Sequence, residues 1–205
     1  MRAICLVVLA LIVQSPALAH DLGVRGVITA GDGEPANDIP EFGVFGHWRL
    51  GDRWSVGFAV DRTEYDFEEP AKLVGLSQDD DFEPIDTIAE ATVLSAWIER
   101  TYPRRSLDWF WGGGIGFASI DVPDATGPLE GGGTFDIQTD ADSEVIVSLL
   151  AGLHRRLGER WMLEFAVRAD QHFADWQLTD RVSGNRGAVD DYLALGGHLG
   201  FGFRF

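Results

Sequence analysis

Alternation of apolar and polar residues with a period of two most constrains the fold of this chain. The last segment places these residues on one set of alternate positions: Leu193, Leu195, Leu199, Phe201, Phe203 and Phe205. The positions between them carry Ala194, Gly196, His198, Gly200, Gly202 and Arg204. Because successive side chains of a β-strand point to opposite faces, this pattern predicts a strand with one apolar face and one face of glycines and polar groups.

Eight such segments follow one another along the chain, and no stretch of 18 consecutive apolar residues follows the N-terminal region. The predicted strands are 21–30, 42–50, 54–66, 88–102, 108–120, 144–157, 160–177 and 191–205. The face opposite the apolar one is often charged or glycine, which suits the inside of a narrow barrel and not the outside of a soluble sandwich. The fourth segment is ambiguous, because either parity leaves Glu90 or Trp97 on an unfavourable face.

The links between the segments alternate between short and long. The short links are 51–53, 103–107 and 158–159, and the long links are 31–41, 67–87, 121–143 and 178–190. Bacterial outer-membrane barrels have short periplasmic turns and longer extracellular loops. The sequence therefore predicts an all-β fold, an eight-stranded antiparallel transmembrane β-barrel with short periplasmic turns, long extracellular loops and both termini in the periplasm.

Residues 1–19 have the layout of a secretory signal peptide. Arg2 precedes an apolar run, and the run ends in the small-x-small site Ala17-Leu18-Ala19. Cleavage there would leave 20–205 as the barrel domain and would remove Cys5, the only cysteine. Disulfides and cysteine-based metal chemistry are therefore not expected in the mature chain.

Aromatic residues cluster beside the short links. Two hairpins are alike, 49–58 and 156–165, and in each a Gly-acid turn is followed by Arg and then Trp. Such rings anchor membrane proteins at the interface between lipid and water. The predicted interface aromatics are Trp54, Tyr102, Trp109, Trp111 and Trp161.

Polar residues of the inward parity predict a network inside the barrel. Its members are Gly23, Arg25, His47, Arg49, Asp61, Glu164, Arg168, Asp170, His172, His198 and Arg204. Eight strands enclose a space that side chains nearly fill, and enclosed charges are expected to pair. The favoured interpretation is a lumen plugged by salt bridges, and the alternative is a narrow, gated ion path through the same residues.

Acidic residues are concentrated in the long loops. The loops with their flanks, 31–41, 66–87, 121–144 and 179–191, contain 22 acidic and three basic residues in a chain of net charge −17. Near lipopolysaccharide phosphates, such loops would need bridging divalent cations or would repel other polyanions. A set of merely solvated, mobile loops is the simpler alternative. Nucleic-acid binding is disfavoured, because no basic surface faces outward.

No catalytic, metal or cofactor site is expected. An acyl hydrolase could use Asp170 and His172 with Asp61 or Tyr65 nearby, but no Ser or Thr follows His172 at short spacing, and His172 has the inward parity. Calcium could bind one of two acidic runs, yet neither matches an EF-hand loop. The runs are Asp140, Asp142 and Glu144, and Asp79, Asp80 and Asp81 with Glu83.

The eight segments, the four long loops and the C-terminal run Gly200-Phe201-Gly202-Phe203-Arg204-Phe205 resemble the small outer-membrane β-barrel family of the OmpA barrel, OmpX and OmpW. The resemblance implies a Gram-negative outer-membrane location, contact with membrane lipids and lipopolysaccharide, and recognition of Phe201, Phe203 and Phe205 by the barrel-assembly machinery. Its family roles make a structural or surface-interaction function the leading expectation. A narrow porin-like conduit for ions or small hydrophobic solutes is the alternative, and a lipid A-modifying enzyme is the third.

Overall fold

The protein is an all-β molecule in a computed structural model that describes residues 20–31, 41–67, 74–76, 87–105, 107–129, 132–141 and 143–205. The proposed signal peptide lies outside these residues. The strands, in chain order, are β1 (His20–Gly31), β2 (Glu41–Arg49), β3 (Trp54–Phe67), β4 (Thr87–Tyr102), β5 (Leu107–Asp121), β6 (Ala125–Pro128), β7 (Thr134–Asp140), β8 (Ser143–Leu157), β9 (Trp161–Phe173), β10 (Trp176–Asp180), β11 (Arg186–Val189) and β12 (Tyr192–Arg204). Among the described residues no helix is long and apolar enough to cross a membrane.

Eight of these strands close into an antiparallel barrel in the order β1-β12-β9-β8-β5-β4-β3-β2. The first and last strands seal it, with pairs that run from Asp21↔Arg204 to Gly31↔Ala194. Closure leaves the barrel without an unpaired sheet edge, so every strand of the wall has two hydrogen-bonded neighbours. The predicted eight-stranded antiparallel barrel is therefore confirmed.

The outer surface of the barrel is apolar. Large exposed side chains cover it on every strand, for example Val24, Val44, Ile115, Leu149 and Leu199. A continuous apolar surface of this kind is unfavourable in water and is the normal outer band of a transmembrane barrel. The wall therefore faces lipid, and the alternate side chains face the lumen.

The exposure of its side chains also shows which face of the fourth barrel strand in the sequence, β4, points into the lumen. Trp97 is buried inside the barrel, whereas Ile98 next to it is exposed. Glu90 lies on the outer face and pairs with Arg62 of β3 at 2.6 Å. The inward Trp97 lies over Gly57 and Gly114, its partners on the two neighbouring strands, and a Cβ on either glycine would overlap it. A ring of this size fits inside eight strands because the wall beside it carries glycine at both positions.

The other four strands form a second sheet beyond the barrel, in the order β11-β10-β7-β6. The hairpin β6–β7 comes from the third long link and β10–β11 from the fourth, and they join through pairs such as Leu178↔Thr139. The expectation of one strand over 160–177 is wrong at its end, because β9 ends at Phe173 and Trp176 begins a strand of this second sheet. The described parts of these two links are thus folded hairpins, which the interpretation as mobile loops did not foresee.

An apolar cluster joins the second sheet to the mouth of the barrel. From the barrel wall it contains Ala89, Ala91, Val93, Ala118, Ile120 and Ile146. From the sheet and its flanks it contains Phe135, Ile137, Ala141, Trp176, Leu178 and Val189, and Val74 of the second long link completes it together with Ala125. We call this cluster the outer cap. It lies at the loop end of the barrel.

Candidate functional site: the barrel interior

The interior at the short-turn end is lined by ion pairs. Arg204 donates two hydrogen bonds to Asp21, from Nε at 2.8 Å and from Nη2 at 2.9 Å. Arg156 lies 3.4 Å from Asp108 across the same opening. A cavity of about 40 Å³ lies here, and its walls also include Arg49. Because an enclosed water needs about 10–15 Å³, this space holds only a few of them.

Deeper inside, Glu164 lies close to histidines from three other strands. Its Oε2 lies 2.9 Å from His154 Nε2, and its Oε1 lies 2.6 Å from His198 Nε2. The Nε2 of His47 stands 3.6 Å from Oε2. All four side chains are buried. Since an isolated buried carboxylate is costly, these imidazoles are what allows Glu164 to be enclosed.

Glu99 is the second buried carboxylate of this layer. It accepts hydrogen bonds from Ser55 Oγ at 3.1 Å and from Trp97 Nε1 at 3.2 Å, both of which are neutral donors. Its Oε2 is 3.8 Å from His47 Nε2, too far for a hydrogen bond. The ring of His47 packs at 5.5 Å from those of Trp97 and His154, and neither of its nitrogens has a hydrogen-bond partner among the described residues.

Two further ion pairs lie farther from the short-turn end. Arg25 pairs with Asp61, and Arg168 pairs with Asp170. The Arg25 guanidinium also lies over the ring of Trp97, 5.3 Å from its centroid. A second cavity, of about 30 Å³, lies beside these pairs and is lined by Arg25 and Arg168. Next to the outer cap, His172 Nδ1 lies 2.8 Å from Glu144 Oε2, and its ring stacks on Tyr192.

The structure places every predicted lumen residue on the inner face. Arg25, His47, Asp61, Glu164, Asp170, His172 and His198 are buried, and Gly23, Arg49, Arg168 and Arg204 are partly buried. Five enclosed partners were missed: Asp21, Glu99, Asp108, Glu144 and His154. Asp21, Asp108, Glu144 and His154 have the inward parity of their predicted strands, so the same alternation would have found them, whereas Glu99 lies on the fourth strand, whose parity the sequence left open. The ion pairs of Asp21, Asp108, Glu144 and His154 could not have been read from it, because the two members of each pair lie 10 to 183 residues apart.

The candidate enzyme and calcium residues that the structure describes are not brought together. Asp170 is bound to Arg168 and His172 to Glu144, so the two do not form a dyad. The side chain of Tyr65 lies outside the description, as do Asp79, Asp80, Asp81, Glu83 and Asp142. Glu144 points into the lumen, whereas Asp140 is exposed on the second sheet.

The predicted interface aromatics all lie on the outer surface near the short turns. Trp54, Tyr102, Trp109, Trp111 and Trp161 are exposed. Trp111 Nε1 donates to Tyr102 Oη at 3.2 Å, and Arg100 packs over the rings of Trp54 and Tyr102. The C-terminal aromatics Phe201 and Phe205 are also exposed, and Phe203 is partly so.

A closed eight-stranded wall with an apolar outside and a filled polar inside is the fold of the small outer-membrane β-barrels. Solved structures of that class resemble the chain. A major outer-membrane protein of Thermus thermophilus superposes with a TM-score of 0.56 at 14% identity, over 92% of this chain and 100% of that one. The attachment invasion locus protein Ail of Yersinia pestis, in complex with the heparin analogue sucrose octasulfate, gives a TM-score of 0.50 at 15% identity, over 92% and 97%. No family model and no curated protein matches the sequence.

Proposed function

We propose that the chain is a non-conducting outer-membrane barrel with a structural or surface-interaction role. The observation that carries this proposal is the outer cap. There Phe135, Trp176 and Leu178 pack on Ala89 and Ile146 inside the barrel mouth, so a solute would have to unpack a hydrophobic core to pass. Below the cap, paired charges occupy the interior.

The alternative, a narrow porin-like conduit, has less support. Its path would run through the enclosed Glu164 layer and the apolar cluster of Phe45, Ala59, Trp97 and Met162. The two cavities of about 40 and 30 Å³ leave room for isolated waters but not for a hydrated column. Opening such a path would require separating buried charges from their partners, which is costly.

Planar bilayer recordings test the closed lumen. We expect the folded mature chain to give no steady single-channel current, while a large porin inserted under the same conditions conducts. Protease protection of the reconstituted protein checks insertion, so that an absence of current cannot be due to an absence of inserted protein. Steady unitary currents that scale with protein concentration would overturn the proposal.

The outward end of the molecule supports a surface role that depends on charge. Asp121, Asp124, Asp140, Asp190 and Asp191 are exposed around the second sheet. Ail was solved with a polyanion bound, but that likeness concerns the fold, and the described loop surface here carries many carboxylates. We therefore infer partners that tolerate carboxylates, namely lipopolysaccharide phosphates bridged by divalent cations, or cationic surfaces.

A binding assay tests this inference. Nanodiscs that contain the barrel are mixed with labelled lipopolysaccharide, with Mg²⁺ or with a chelator. We expect Mg²⁺ to strengthen binding and the variant Asp190→Asn/Asp191→Asn to lose much of that gain. The matched control is Asp52→Asn/Glu159→Gln in two short turns at the opposite end, which is expected to keep it. Equal binding with and without Mg²⁺ would contradict the inference.

A lipid A-modifying role is the least supported. His172 faces the lumen, pairs with Glu144 and stacks on Tyr192, which favours a packing function over chemistry on a lipid. Entry into the secretory pathway through 1–19 and assembly through Phe201, Phe203 and Phe205 remain part of the proposal.

A further inference from the structure

His47, Glu99 and His154 form a compact group of potential metal ligands inside the barrel. One ligand atom from each lies within 4.8 Å of the other two, and all three side chains are buried. In a tetrahedral zinc site with bonds of about 2.0–2.2 Å, ligand atoms stand roughly 3.4 Å apart. The Nε2 of His47 lies 3.8 Å from the Oε2 of Glu99. This distance is longer than a hydrogen bond and is compatible with an ion bound to both atoms.

His47 supplies an independent reason to expect a ligand at this place. Its side chain is 3% exposed, and its Nε2 is directed at the two carboxylates, 3.6 Å from Glu164 and 3.8 Å from Glu99. Both ring nitrogens lack hydrogen-bond partners within the described part of the chain. Leaving a buried polar group unpaired costs about 1–3 kcal/mol, so such groups are normally satisfied by a water, an ion or a partner.

The two carboxylates of the layer have different partners. Glu164 is held by His154 and His198, but the side-chain donors that reach Glu99 from the described residues are the neutral Ser55 and Trp97. An enclosed carboxylate whose hydrogen-bond donors are neutral is a group that a bound cation would stabilise. Two nitrogens and one oxygen form the ligand set typical of zinc sites that retain a water.

An ion could reach this group from the periplasmic end. The cavity of about 40 Å³ is lined by His47, Glu99 and His154 at its inner end and by Asp52 and Arg53 of a short turn at its outer end. The outer cap closes the opposite direction. The route therefore begins at the short turns, where the chain is closest to the periplasm.

We propose that His47, Glu99 and His154 bind one divalent transition-metal cation, with Zn²⁺ as the best-matched ion and Glu164 as the carboxylate that holds His154 in place through Nε2. This departs from the sequence-based expectation of no metal. The three residues stand on β2, β4 and β8, which are not neighbours in the barrel order, so the ion would link the wall across the lumen. The proposal is independent of the surface role.

Equilibrium dialysis of the untagged, folded mature chain in detergent tests the site. The protein is stripped with a chelator, dialysed against Zn²⁺, and its metal content is measured. We expect one Zn²⁺ per barrel, and binding at least tenfold weaker in His47→Gln and in Glu99→Gln. Glu99→Gln keeps one acceptor oxygen for Trp97 Nε1, and its amide NH₂ can donate to Ser55 Oγ, so it is the variant most certain to fold, which is verified by unchanged mobility of the unheated protein in gels.

The matched control is His172→Gln, which removes a buried lumenal histidine near the outer cap and is expected to keep full Zn²⁺ binding. Glu164→Gln is expected to weaken binding by about 10 to 100-fold, because it removes the carboxylate that orients the ligand His154. Co²⁺ in place of Zn²⁺ should give the visible absorption of a tetrahedral site in the wild type and not in Glu99→Gln.

The proposal is overturned by any of three results: no stoichiometric Zn²⁺ on the folded wild type, wild-type affinity in both His47→Gln and Glu99→Gln, or an equal loss in His172→Gln. The first result would mean that His47 is stabilised by its carboxylate neighbours without an ion. The other two would place the ion elsewhere on the chain.

Discussion

Asp61 illustrates how single residues hold the interior together. Its carboxylate pairs with Arg25 in the lumen, where both side chains are almost fully buried. Gly43 lies opposite on β2, and a Cβ there would overlap the carboxylate. The neighbouring residue, Arg62, faces outward and forms an exposed pair with Glu90. Adjacent positions in one strand thus carry ion pairs in opposite environments.

We expect Asp61→Ala to lower the free energy of unfolding by about 3–5 kcal/mol, because it leaves the Arg25 charge enclosed without a partner. Arg62→Ala should cost less than about 1 kcal/mol, since exposed pairs contribute little. Urea unfolding in lipid vesicles measures both. Adding Arg25→Met to Asp61→Ala should recover much of the loss. Equal effects of the two single variants would contradict the interpretation.

At the scale of elements, the hairpin β10–β11 depends on one carboxylate. Asp180 Oδ2 accepts a hydrogen bond from the backbone N–H of Ser183 at 2.8 Å, and its Oδ1 accepts one from the backbone N–H of Asp136 at 2.9 Å. Asp180 therefore orders the turn that follows it and ties the hairpin to β7. Hydrogen bonds from the Ser183 side chain and from Asp136 lower the pKa of Asp180 from 3.8 to about 2.

The direction of this pKa shift predicts how the hairpin responds to acid. A carboxylate with a depressed pKa in the folded state stabilises the fold above its ordinary pKa and loses that contribution as the pH falls toward the lower value. We expect protection of the Ser183 and Asp136 amides from hydrogen exchange to be constant down to about pH 4 and to fall toward about pH 2. The variant Asp180→Asn should show lower protection without this pH dependence. A titration midpoint of Asp180 at its ordinary value of 3.8 would refute the prediction.

At the scale of the whole molecule, the chain has two differently built ends. The short-turn end carries arginine pairs and exposed aromatics, whereas the loop end carries the second sheet, the outer cap and exposed carboxylates. The C-terminus lies at the first of these ends, where Phe205 is 71% exposed and contacts Phe203. The ring of Phe205 does not pack in the barrel interior. If the protein needs Phe205 to reach the outer membrane, the reason would therefore be recognition by the assembly machinery and not packing.

We expect deletion of Phe205 to reduce the outer-membrane level of the protein in cells but to leave refolding into detergent unchanged. The control is Phe117→Ala, which removes another exposed outward ring far from the terminus and should leave cellular levels near normal. Immunoblots of outer-membrane fractions and heat-dependent gel mobility measure the two properties. Normal cellular levels of the deletion would argue against an assembly signal.

The number of barrel strands, the parity of most of them and the asymmetry of the links could be predicted from the sequence, because they are local, whereas the four strands of the second sheet were not predicted. An extended backbone turns its side chains alternately to two faces. The outward position of Leu199 and the inward position of His198 therefore follow from their order in the sequence alone. Where the local pattern was mixed, as at Glu90 and Trp97, the sequence left the parity open. Packing decided it, since only the lumen opposite Gly57 and Gly114 has room for the indole.

The sequence by itself thus determined a barrel that faces lipid and encloses polar side chains, and the tertiary structure decided which of these side chains pair with each other. Glu164 meets His154, His198 and His47 only because closure brings strands distant in the sequence to one level of the lumen. The second sheet depends in the same way on two long links meeting above the mouth, where β7 and β10 pair. These contacts depend on register and barrel geometry, which no single segment encodes.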